Sequence, residues 1–141
     1  MLLAVVFLIT NITHTMENHM TKATPIGQQY INLISQFEKG VAQKLFVSNA
    51  KKIVNSKVIC NNRDQLLSQM QDIKETFGIT KINLLELITG IDPRINVIRF
   101  EITYGDNTTE SVISIIKCDD SGLIEEINEV FGEKEIYQWQ S

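Results

Sequence analysis

At 141 residues with 43% hydrophobic content, the chain has the length of one domain and enough apolar material for a single core. Its formal net charge is -4 and its thirteen Lys and Arg are scattered, so no basic stripe exists to neutralise a phosphate backbone, and nucleic acid is not an expected partner. The two cysteines, Cys60 and Cys118, lack CxxC spacing, which argues for reduced thiols at strand ends over a zinc knuckle or a disulfide framework.

Both histidines, His14 and His19, precede the first convincing helix, so the folded body is expected to lack imidazole. That removes Ser-His and Cys-His nucleophile pairs and the usual zinc and non-haem iron sites; no metal and no cofactor are expected. The run LLAVVFLIT, Leu2 to Thr10, is too short to span a bilayer, which takes about 20 residues. It has the look of the apolar part of a signal peptide, yet no Lys or Arg precedes it and no small-x-small cleavage site follows. Residues 1–20 therefore read as an N-terminal extension, signal-like or disordered, or as leader to a start at Met16 or Met20. Residues 21–141 read as the domain, cytoplasmic and with no membrane contact, or exported if residues 1–15 act as a signal. The Asn11-Ile12-Thr13 sequon matters only in a glycosylating compartment.

Thr24 before Pro25 signals a helix start, with the Thr side chain as cap and proline in the first helical position. Ile26, Tyr30, Leu33, Ile34 and Phe37 keep helical spacing up to Gly40. Val41 to Phe46 fits a short second helix, broken by Ser48-Asn49-Ala50. KKIVN and KVIC then form a small hairpin around Asn55-Ser56. Asn61-Asn62 precedes a second amphipathic helix in which Leu66, Leu67, Met70, Ile73 and Phe77 face the core and which Gly78 ends. Lys81 to Thr89 reads as a strand and GIDPR as a turn.

From Ile95 onward, INVIRFEITY, SVISIIKC and LIEEINEVF are three apolar-rich runs separated by GDNTTE and DDSG, the pattern of an antiparallel meander. Ile98, Phe100, Ile102 and Tyr104 alternate onto one face, and Arg99, Glu101 and Thr103 onto the other. The tail EKEIYQWQS holds the single tryptophan, Trp139, and reads as cover for a pocket mouth or a dimer seam, or as a loosely ordered end. Two amphipathic helices and a hairpin are the available cover for one sheet face, which predicts an α+β fold with helices on one side of a bending sheet.

That order, with QQYINLISQFEKG in the first helix, LFVSNAKKIVN leading into the hairpin and VISIIKCDDSGLIEEINEVF at the end, resembles the nuclear transport factor two-like superfamily. This group includes ketosteroid isomerases, SnoaL-like polyketide cyclases and limonene epoxide hydrolases, and the resemblance runs from about Thr24 to Gly132. It implies a strongly curved antiparallel sheet with helices on its concave face, a cone around a central apolar pocket, and often a homodimer through the outer face. The same cone hosts enzymes and non-enzymatic modules.

Laid over ketosteroid isomerases, the helix Tyr falls on Tyr30. The base falls on Val54 or Asn55 and the central Asp on Ser114; neither Val nor Asn accepts a proton at neutral pH, so that mechanism is not expected. The epoxide hydrolase pattern falls on Ile53-Val54-Asn55, Arg99-Phe100-Glu101 and Glu129, without the Tyr. Strand alternation sends Arg99 and Glu101 outward and away from any such role.

Glu129 remains. It shares a face with Ile127 and Phe131, where burial would favour use as a general acid or base; a wet rim or a lysine partner is the plainer alternative. The expected catalytic set is Glu129 with Tyr30 and Asn55 orienting, and the expected ligand-binding set is Ser114, Phe100, Ile102, Tyr104, Ile127 and Phe131. The expectation is thus a SnoaL-like domain of isomerase, cyclase or hydrolase type, binding a small apolar molecule and forming a homodimer. The alternative is a non-catalytic interaction module using the outer face, including Val97, Arg99, Glu101 and Thr103. A closed cavity of about 300 Å³ or more with Glu129 on its wall favours the first, and a core filled by side chains the second.

Overall fold

The computed structural model describes residues 24–131. The N-terminal extension, the sequon, both histidines and the tail with Trp139 lie outside the described residues. Helix α1, Ile26–Ser35, turns Gly27, Tyr30, Ile31 and Leu33 inward. Thr24 does not cap it: Pro25 takes the cap position without a side-chain bond, its carbonyl accepts from the amides of Gln28 and Gln29, and Gln29 Nε2 donates to the Thr24 carbonyl at 2.8 Å. The helix stops short of Gly40 because Gln36 leaves the helical region, at φ -134°. Phe37 is buried from the connection instead, and a separate short helix α2 follows at Lys39–Gln43, tucking Ala42 inside.

Strand β1, Phe46–Val54, runs straight through Ser48-Asn49-Ala50, where a break was expected. The ladder absorbs the polar residues: the register of β1 shifts between Phe46 and Lys51, and Ser48 and Asn49 are exposed. The Asn55-Ser56 turn, with both residues at positive φ (47° and 68°), joins β1 to β2, Lys57–Cys60. Two left-handed positions in a row match the twist of a tight hairpin.

Helix α3, Arg63–Phe77, is capped by Asn62, whose Oδ1 accepts from the Gln65 amide at 2.9 Å, and Gly78 follows at φ 61°. Leu66, Leu67 and Met70 are buried. Phe77 is not the core residue its spacing suggested. At the last turn it stays exposed, with its ring edge-on to Tyr104 at 6.0 Å.

The remaining strands are β3, Ile79–Thr89, β4, Ile95–Tyr104, β5, Thr109–Cys118, and β6, Ile124–Phe131. The described strands form one sheet ordered β2-β1-β6-β5-β4-β3. It is curved and unclosed as expected, and antiparallel at every pairing but one: β1 and β6 run parallel, which makes it mixed. The reason is topological. The chain leaves β2 through α3 to reach the far edge, and the meander β3 to β6 then returns to β1 from the other side. Helices α1 and α3 cover the inner face, where Ile98, Phe100, Ile102, Val112, Ile116 and Ile127 build the core. Gly27 lets α1 close onto β4, since a Cβ there would stand 2.7 Å from Ile98 Cγ2. Its amide donates to the buried Asn96 Oδ1 at 3.2 Å, fastening helix to sheet.

Candidate functional site

Strand alternation brings three polar side chains to one point on the inner face, where a fourth from a helix meets them. Ser114 of β5 lies opposite Glu129 of β6, and Lys52 of β1 lies opposite Ile127, one inward position from Glu129. Tyr30 reaches the same carboxylate from α1. Lys52 Nζ stands 3.0 Å from Glu129 Oε1, while Glu129 Oε2 accepts from Tyr30 OH at 3.2 Å and from Ser114 Oγ at 2.5 Å. None of the four is more than 5% exposed, so the ion pair and both hydroxyls are withdrawn from water. Burial, and next the Glu129 charge, hold the Tyr30 hydroxyl well above its ordinary titration range, which keeps it a phenol and a donor.

Tyr30, Lys52 and Glu129 form the polar patch of a cavity of about 50 Å³. Phe37, Met70 and Ile73 line it from the helical side, and Phe100, Ile102, Tyr104 and Phe131 from the sheet. One water occupies about 10–15 Å³ on this measure, so the space admits a few waters or a molecule of a few non-hydrogen atoms. It falls well below 300 Å³. Lys74 also borders the cavity, with Nζ donating to the Phe37 carbonyl at 3.1 Å. Tyr104, also on the cavity wall, donates its OH to Glu110 at 3.1 Å.

The sequence-predicted residues separate accordingly. Glu129, Tyr30, Phe100, Ile102, Tyr104 and Phe131 border the cavity. Ser114 and Ile127 are fully buried beside Glu129 without lining it, and Ser114 spends its hydroxyl on that carboxylate. Asn55, expected beside a ligand, occupies the hairpin corner. Its amide donates to the Glu129 carbonyl at 3.0 Å and its Oδ1 accepts from the Phe131 amide at 3.2 Å, so it positions the backbone of β6.

Lys52 was missed. Its signal was partial: alternation read back from Val54 puts Lys52 on the same face as Ala50, which is buried. Arg99 points outward and pairs with Glu86 of β3 at 2.8 Å. Among the described residues no group of three His, Cys, Asp or Glu could hold a metal ion, and no helix is long and apolar enough to cross a membrane.

No protein-family model matches the chain, nor does any curated protein sequence. Solved structures do. A SnoaL-like family protein from Agrobacterium tumefaciens superimposes with a TM-score of 0.66 at 8% identity, over 77% of this chain and 95% of that one. A steroid delta-isomerase from Pseudomonas aeruginosa gives 0.65 at 16% identity, over 84% and 85%. An NTF2-like protein from Cytophaga hutchinsonii gives 0.62 at 11% identity, over 79% and 91%. At such identities the likeness speaks for architecture and leaves chemistry to the site itself. The chain carries the nuclear transport factor two-like fold shared by SnoaL-like and steroid isomerase structures.

Proposed function

We propose that this domain binds a small molecule of a few non-hydrogen atoms inside the cone, with its apolar part against Phe100, Ile102 and Phe131 and its polar atom at the Lys52–Glu129 pair. The observation that carries this is the ion pair itself. Apolar residues of similar volume usually serve stability as well as a buried ion pair or better, so its presence on a cavity wall is better explained by recognition or chemistry than by folding. Acid/base turnover of the isomerase, cyclase or hydrolase type belongs to the same reading. Glu129 moves the proton, and Tyr30, kept as a phenol, holds that carboxylate in place by donating to its Oε2. Native mass spectrometry of the purified domain and NMR titration with small alcohols, amides and acids test it. The expected outcome is a bound species, or shifts confined to the surroundings of Tyr30, Lys52 and Glu129, lost in Glu129→Gln. A silent cavity across the panel removes the reading.

A second reading, a homodimeric interaction module, is favoured by the outer face. Ile88, Val97 and Ile115 are consecutive cross-strand partners, and Ile113 pairs with Val130 in the next row. Ile88, Ile113, Ile115 and Val130 are all exposed, so the apolar ground spans several strands, which is unusual for a solvated sheet face. The Arg99–Glu86 pair lies among them. The modest cavity volume also counts on this side. A monomer by sedimentation at micromolar concentration would overturn it.

A further inference from the structure

Lys52 has a second capability that pairing with Glu129 does not use. An amine on the wall of an apolar cavity is the group that forms Schiff bases with carbonyl compounds, provided a neighbour can take its proton. Both conditions are met: the Lys52 side chain is buried, it borders the cavity, and Glu129 Oε1 lies 3.0 Å from its nitrogen. We infer that the cavity is a carbonyl site in which Lys52 forms an imine with a small aldehyde or ketone, and Glu129 carries the proton. This rests on the small-molecule reading above and names its substrate class.

The step balances within the cluster. The Lys52 ammonium gives one proton to Glu129, and the freed nitrogen lone pair adds to the carbonyl carbon while the carbonyl π pair moves to oxygen. A proton passes from nitrogen to that oxygen, giving a carbinolamine beside a protonated Glu129. The carboxylic acid then protonates the hydroxyl, the C–O bond breaks, and water leaves as the nitrogen lone pair closes the C=N bond. What remains is a protonated imine facing a Glu129 carboxylate. A cation therefore stands where the ammonium stood, and the buried carboxylate is again paired, so the product state avoids the cost of an isolated buried charge. Tyr30 OH and Ser114 Oγ hold Oε2 and leave Oε1 facing the nitrogen, which fixes the oxygen that shuttles the proton. The volume limits the partner to compounds the size of acetaldehyde or acetone, and the apolar wall of Phe100 and Ile102 suits their alkyl part.

The test is reductive trapping. The domain is incubated with acetaldehyde at substoichiometric to equimolar levels, reduced with borohydride, digested and mapped by mass spectrometry. Lys52 is expected to carry the N-alkyl group ahead of exposed lysines such as Lys44 and Lys81. The Lys52→Arg protein, which keeps a cation opposite Glu129, is expected to lose that early adduct, and Glu129→Gln to slow it. Alkylation that reaches Lys44 and Lys81 first overturns the inference, and wild-type mapping alone decides this if a variant fails to fold. Saturable binding of an alcohol or amide in the cavity, with no preference for Lys52 in trapping, also overturns it while leaving the small-molecule reading standing.

Discussion

Glu129 is buried and has both carboxylate oxygens engaged, one by an ammonium and one by two hydroxyls. Removing one member is therefore costlier than removing the pair. Lys52→Met is expected to lose about 3–5 kcal/mol in urea denaturation, whereas Lys52→Met with Glu129→Leu recovers most of it. A double variant as unstable as the single one would show that the charge pair is not the source. Gly27 is a steric requirement of the same scale: Gly27→Ala forces a Cβ toward Ile98 Cγ2 and should cost about 1–3 kcal/mol by thermal or chemical melt. Burial, with Asp119 and Glu125 nearby, pushes the Cys118 thiol up to about 11. Near neutral pH it should resist thiol reagents until the domain unfolds, and rapid labelling of native protein would contradict that. At this scale sequence reasoning singled out Glu129, Tyr30 and Ser114 by alternation and by resemblance, and the three side chains meet in the structure. It did not single out Lys52, because a charged residue in KKIVN reads as solvated until its face is matched to that of the buried Ala50.

Elements with local signals were the best read. The helix from Arg63 begins at Asn62 and is followed by Gly78, because a capping side chain and a left-handed glycine are short-range devices. Asn62→Ala should lower stability by about 1 kcal/mol, measured as a shift in the thermal midpoint; an unchanged midpoint would mean that packing of Leu66 and Leu67 alone holds the helix start. Where the determinant was long-range, local reading slipped. α1 ends at Ser35 and Phe37 is buried from the connection, and β1 passes through Ser48-Asn49-Ala50 at the irregularity between its Phe46–Ile124 and Lys51–Glu126 pairs with β6. Asn55 is the clearest case. It looked like a ligand contact because the hairpin register was open by one residue, and the turn places it on the backbone of β6 instead.

At the scale of the molecule the two sheet faces divide the work. The inner face holds the polar cluster and its small cavity, and the outer face exposes apolar cross-strand rows. Ile115→Lys places a charge in the middle of those rows without touching the core. If the outer face is a dimer seam, the variant should sediment as a monomer with unchanged circular dichroism at concentrations where the wild type is a dimer. Identical sedimentation of both proteins would count against that seam.

By itself the sequence determined what depends on spacing along the chain: an α+β domain, a covered meander face with Ile98, Phe100, Ile102 and Tyr104 inward and Arg99 outward, and Glu129 on the same wall as Ile127 and Phe131. The tertiary structure alone decided what depends on which strand meets which. The parallel pairing of β1 with β6 brings Lys52, which lies 77 positions before its partner, within 3.0 Å of Glu129, and the packing of α1 and α3 leaves a space of only about 50 Å³ above them. Periodicity reports the face a residue occupies; the identity of its cross-strand neighbour is set by global topology, and so is the volume left unfilled.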